Sequence, residues 1–106
     1  MSGAGTTSNT GAQKSFYTGA KSSIGTSAVQ VTTSQTYINK GMLVKAAKLN
    51  SGTVYVGTTT VTNGSADSTD GFELGAGESI FIETDRLDRV WVIGSASSQK
   101  VFWVAV

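Results

Sequence analysis

Three short segments carry residue types that could do chemistry. Gly75-Ala76-Gly77-Glu78 has glycines spaced like those of a phosphate loop, and Asp67-Ser68-Thr69-Asp70-Gly71 offers alternating oxygens for a hard cation. Glu83, Asp85 and Asp88 are interleaved with Arg86 and Arg89. None of the three is complete. A Rossmann loop needs three glycines between a strand and a helix, and a P-loop ends in Gly-Lys-Ser/Thr. The first segment has neither, and Glu78 would repel phosphate, so it reads as a β-turn. An EF-hand loop needs more acids and a closing Glu, so the second reads as a solvated turn. Paired carboxylates can serve a glycosidase as acid and base. No substrate cleft is signalled beside the third segment, and its mixed signs read as an ion-pair patch on the surface or between subunits.

Composition removes most other chemistry. The 106 residues include no His and no Cys. That takes away the usual general base near neutral pH, the thiol nucleophile, and nearly all zinc, copper, haem and iron–sulfur ligation. Disulfides are excluded too. No Ser–Lys pairing stands out among the serines, so no catalytic residue, cofactor or metal site is expected, and an enzyme is the last of the readings. A net charge of +1 gives no general attraction to nucleic acid or anionic lipid. Lys40, Lys45, Lys48 and Lys100 are scattered among neutral residues without the basic groove of a nucleic-acid binder. Met1 to Gly5 lacks the basic and apolar regions of a signal peptide, and no apolar stretch approaches the ~18–20 residues of a membrane span. The expectation is a chain made and kept in the cytosol, or exported by another route.

The elements that must position these residues are β-strands. Charged residues make up 14% of the chain, against roughly 25% in ordinary soluble domains. Ser, Thr, Gly and Asn take their place and disfavour helices. Proline is absent, leaving turns to Gly, Asn and Asp. Composition shifts near residue 28. Before it, a Ser/Thr/Gly stretch holds Lys14, Lys21 and, as large apolar residues, only Phe16, Tyr17 and Ile24. This predicts a flexible polar arm over 1–27. It is either a plain tail or an arm that orders on a partner, with Phe16, Tyr17 and Ile24 as anchors and the lysines facing an acidic surface.

A folded domain is expected over 28–106. Val29 and Val31 alternate with polar neighbours, Thr53 to Gly57 alternates again, and Thr58 to Thr62 is a β-branched run suited to a strand. Met42 to Ala47, Phe72 to Leu74, Ser79 to Glu83, Val90 to Ile93 and Lys100 to Val106 complete the set. Turn signals roughly every ten residues predict an all-β fold, a small antiparallel β-sandwich or jelly-roll.

The last strands are apolar on both faces. Phe81 opposes Ile80 and Ile82, Trp91 and Ile93 oppose Val90 and Val92, and Phe102 opposes Val101 and Trp103. Either these strands lie between two layers of one monomer, or their second face is a subunit interface. Small domains rarely cover both faces of a sheet unaided, so Phe81, Trp91, Ile93, Phe102 and Trp103 are expected to meet a second copy.

Thr53-Val54-Tyr55-Val56-Gly57 is followed by Thr60-Val61-Thr62, then Gly71-Phe72-Glu73-Leu74, Gly77-Glu78-Ser79-Ile80-Phe81-Ile82, Val90-Trp91-Val92-Ile93 and Gln99-Lys100-Val101. Over residues 28–106 this pattern resembles small virion proteins of tailed bacteriophages, the head decoration or cement type. The resemblance implies a β-sandwich that binds the major capsid protein as a symmetric trimer or dimer over the shell, the trimer being the first reading, or that serves elsewhere in the virion, assembled in the host cytoplasm. It carries across no catalytic residue. The rival is a head-fibre or tail component that binds a receptor or carbohydrate through exposed Trp and Tyr.

Overall fold

The computed structural model describes residues 15–106. Eight strands follow in order: β1 Tyr17–Ile24, β2 Val29–Gln30, β3 Gly41–Ala46, β4 Val54–Gly57, β5 Phe72–Leu74, β6 Ser79–Glu83, β7 Trp91–Gly94 and β8 Gln99–Ala105. Two 3₁₀ turns, Asp67–Thr69 and Leu87–Arg89, interrupt them. Every strand pairing is antiparallel. One sheet runs β1-β8-β3-β6 and the other β2-β7-β4-β5. The first strand thus pairs with the last, the second with the seventh, the third with the sixth and the fourth with the fifth. The chain is a long hairpin folded at β4–β5 and rolled into two layers, the jelly-roll order of strands.

The core is the single layer between the sheets. Met42, Val44 and Ala46 of β3, Val101 and Ala105 of β8, and Ile24 of β1 face Val54, Val56, Leu74 and Val92. In β3 the burial alternates residue by residue from Met42 to Ala46, as period-2 geometry requires. Fully burying one such side chain is worth about 1.5–3 kcal/mol, which makes this layer the main stabiliser. The segment between β2 and β3 has little regular structure but is tied to the turn before β7. Val31 N–H donates to Val90 O (3.0 Å), Leu87 N–H to Thr36 O (3.0 Å) and Ile38 N–H to Asp85 O (2.9 Å).

Two expectations are corrected. The polar arm does not run to residue 27, because Tyr17–Ile24 is an edge strand along β8, in register from Tyr17 opposite Ala105 to Lys21 opposite Val101. Its low apolar content suffices because an edge strand gains main-chain hydrogen bonds on one side and needs few inward side chains; Ile24, fully buried, supplies the anchor. Thr58–Thr62 is not a strand either. Val61 N–H closes a turn onto Thr58 O (3.0 Å), and Thr62 makes only an isolated bridge to Asp70. Gly57 and Gly71 let the loop return over itself: a Cβ on Gly71 would lie 2.6 Å from Val61 Cγ2.

Candidate functional site: an apolar sheet face and its rim

The outer face of the first sheet is where the structure departs most from an ordinary surface. Alternation turns Leu43, Phe81, Phe102 and Val104 away from the core. Registry lines up Phe81 with Leu43 and Leu43 with Val104, while Phe102 sits one row on, opposite Lys45. Phe81 is 47% exposed, Phe102 45% and Leu43 36%. A sheet face open to water is normally polar, and contiguous apolar surface of this kind marks an interaction site.

The five residues expected to share one interface occupy three environments. Phe81 and Phe102 do lie together on this face. Trp103 points inward with Val101 and Ala105 and packs on the core, its indole against Gly19 of β1, where an added Cβ would lie 2.5 Å from the ring. Its Nε1 is buried without a hydrogen-bond partner among the described residues. Strand alternation explains this, since neighbouring Phe102 and Trp103 must face opposite ways. Trp91 and Ile93 belong to the outer face of the second sheet. Ile93 is buried there: its partner across the ladder is Tyr55, and the 62–71 loop folds over that face. Asn63 Nδ2 donates to Gly94 O (3.1 Å), and Gly64 lies against the Tyr55 ring.

Of the expected arm anchors, Phe16 and Tyr17 are exposed and Lys21 is half-buried, whereas Ile24 is fully buried and cannot reach a partner. Lys14 lies outside the described residues.

The three chemistry-bearing segments serve the fold. Asp70 accepts hydrogen bonds from Thr62 Oγ1 (2.7 Å) and from the N–H groups of Gly64 (2.8 Å), Ala66 (3.2 Å) and Asp67 (3.0 Å). The Thr62 hydroxyl and these amides hold its carboxyl below the usual value, because each favours the ionised form. Gly75-Ala76-Gly77-Glu78 is the β5–β6 turn, with Gly77 at φ +84° and Gly75 N–H donating to Glu78 Oε1 at 2.7 Å. In the charged corner Arg86 pairs with Asp88 (2.6 Å) and Arg89 with Asp85 (2.7 Å). Asp88 and then the Tyr37 hydroxyl raise the guanidinium pKa of Arg86, whose charge also lies 5.9 Å from the Tyr37 ring centroid. Among the described residues no cluster of three or more acids could hold a metal ion, and no helix is long and apolar enough to cross a membrane.

A second feature was not legible in the sequence. Half-buried Trp91 shares a shallow basin of about 410 Å³ with Gln30, Thr58, Thr59, Arg86, Asp88 and Arg89. These residues come from three separate segments and only the rolled topology joins them. Leu43 and Val104, by contrast, could have been found from the two-faced apolar runs that contain them.

The fold and surface define an antiparallel jelly-roll sandwich with an apolar sheet face that no described residue covers. No protein-family model matches the chain, and no curated protein matches it closely enough to count as a relative.

Proposed function

We propose that this chain is a non-enzymatic structural protein of a bacteriophage virion, a decoration or cement protein that stabilises the head shell as a symmetric homo-oligomer, a trimer by preference. In this reading it assembles in the host cytoplasm and rests on the major capsid protein. The observation that carries the reading is the apolar stripe Phe81–Leu43–Val104 with Phe102 beside it, a surface whose stability is gained by being covered. Jelly-rolls are frequent among capsid proteins, which supports the reading by analogy of fold alone. The test is co-sedimentation with assembled, undecorated capsid shells. The wild-type chain should sediment with shells and raise their melting temperature, and Phe81→Ser with Phe102→Ser should lose both effects while keeping the β-sheet circular dichroism spectrum. Binding by the double variant equal to wild type would refute the role of this face. Removing residues 1–14, which leaves β1 intact, tests a strap role for the remaining arm separately.

The Trp91 basin favours a second reading, a receptor- or carbohydrate-binding component of a head fibre or tail. An aromatic ring bordered by amide, hydroxyl, guanidinium and carboxylate groups offers a sugar both a stacking surface and hydrogen bonds. Glycan-array binding that Trp91→Ala abolishes, with no affinity for shells, would favour it.

A further inference from the structure

Leu49 is 96% exposed, yet the chain that carries it is firmly held. Ala47 N–H donates to Lys100 O (3.0 Å) and Asn50 N–H to Ala47 O (3.2 Å). The Asn50 side chain then bonds both backbone groups of Lys100. The leucine is therefore presented as a fixed knob, standing beside a hollow of about 520 Å³ edged by Lys45, Lys48, Lys100 and Phe102.

A complementary recess lies at another edge of the same molecule. Where β5 and β6 bound the open side of the sandwich, a slot of about 330 Å³ runs between the sheets. Val56, Phe72, Ile80, Ile82 and Val90 line it together with two charged residues, Glu83 and Arg89, the latter neutralised by Asp85. Phe72 is left 58% exposed there.

The charges match in the same sense. All seven acidic residues lie between positions 67 and 88, and every lysine lies outside that stretch. Arg86 and Arg89 are taken up by Asp88 and Asp85, and these are the only ion pairs among the described residues. Lys45, Lys48 and Lys100 on the knob side and Glu83 on the slot side have no counter-ion among the described residues.

We infer that the occupant of the slot is a second copy of this chain: Leu49 of one copy enters the β5–β6 slot of the next, with Lys48 or Lys45 facing Glu83. The two patches differ, so the contact is head-to-tail, and it either closes a ring or runs on as a filament. A cyclic trimer is one such closure. The inference rests on the oligomer reading above; Lys45 shares its face with Phe102, but Leu49, Lys48 and the β5–β6 slot lie off the Phe81–Val104 stripe, so Leu49→Asp and the Phe81 double variant can fail independently.

The experiment is sedimentation velocity on the full chain across a range of concentrations. Leu49→Asp should weaken self-association by at least about tenfold, a loss of about 1.4 kcal/mol, with an unchanged circular dichroism spectrum because Leu49 supports no core contact. Lys48→Glu together with Lys45→Glu in one variant, and Glu83→Lys in another, should each associate more weakly than wild type. Mixing those two variants should restore a complex, since each retains the partner that suits the other. A wild-type chain monomeric throughout would overturn both this inference and the oligomer reading. Wild-type association undiminished by Leu49→Asp, or no recovery on mixing, would overturn the knob and slot while leaving the Phe81 face to be tested by its own double variant.

Discussion

Asn50 bonds the backbone of Lys100 in both directions: its Nδ2 donates to the carbonyl (2.9 Å) and its Oδ1 accepts from the amide N–H (2.9 Å). A side chain here takes the place of a neighbouring strand. It fixes the β3–β4 connection against β8 just where Ala47 N–H also reaches Lys100 O. Asn50→Ala removes both bonds, each worth about 0.5–1.5 kcal/mol. Unfolding in urea should show a loss of about 1–3 kcal/mol, and amide exchange at Lys100 should accelerate. Exchange as slow as in wild type would mean the contact holds nothing in place.

Gln99 is the one fully buried polar side chain among the described residues. Its Oε1 accepts from Gly52 N–H (2.9 Å), and its Nε2 donates to Ser97 O (2.7 Å) and Ser51 Oγ (3.1 Å). Gln99→Leu keeps the bulk but strands those partners, at about 1–3 kcal/mol for an unsatisfied buried group. Chemical denaturation should find the variant less stable by about that amount; a variant equal to wild type would show that water replaces the amide without cost.

The Asp70 carboxylate organises the loop over Tyr55 and Ile93, and its pKa in the folded chain lies below the ordinary 3.8. A depressed folded-state value means that the ionised group contributes stability above 3.8, and that this is lost as pH falls through the lower value. Asp70→Asn should therefore be less stable than wild type at neutral pH, with the difference narrowing below pH 3.8. Urea midpoints at neutral and acidic pH would check this. A gap that stays constant with pH would show that the charge is irrelevant to the loop.

Gly19 and Trp103 form a small-to-large pair across β1 and β8. A side chain at position 19 would have to displace the indole, with ring atoms 2.5–2.9 Å from an added Cβ. Overpacking of this kind costs typically about 1–3 kcal/mol. Gly19→Val should lower stability within that range, shift tryptophan fluorescence, and speed amide exchange across Tyr17–Ile24 before the rest of the sandwich. If exchange rises evenly over the whole chain instead, β1 is not a separable edge.

Burial separates two truncations of large apolar residues that sequence alone would rank together. Phe81→Ser, on the half-open face, should cost the isolated chain about 1 kcal/mol. Ile24→Ala, in the core, should cost about 2–5 kcal/mol. Thermal unfolding of both variants under conditions where the chain is monomeric would check the contrast, and a large loss from Phe81→Ser would place that ring in the core after all.

Alternation and turn residues were enough to read the sandwich and most of its strands, since Val54, Val56, Val92 and Ile93 or Met42 and Val44 announce themselves locally. β1 was hidden because its fitness for a strand rests on Gly19 meeting Trp103, a match between residues from opposite ends of the chain. Thr58–Thr62 misled because β-branched residues favour extended backbone but do not enforce a ladder, and here Gly57 and Gly71 allow a tight return around Val61. The candidate face was half legible. A strand apolar on both sides says that both are covered or sticky, but not which is the core; that is decided by the opposing sheet, and it took Trp103 inward and left Phe102 outside. The Trp91 basin draws on separated loops and had no local signal.

The nesting of strand pairs has a consequence for synthesis. The β4–β5 hairpin can close as soon as it leaves the ribosome, and β3–β6 and β2–β7 can then zip around it, each loop shortened by the one inside. The first sheet, however, has β8 between β1 and β3. Until residues 99–105 emerge, β1 has no ladder to join, and β3 exposes a bare edge with Met42 and Val44 beside it. A nascent chain arrested before residue 99 should thus be sensitive to protease and retained by chaperones, and emergence of β8 should close the first sheet in one step.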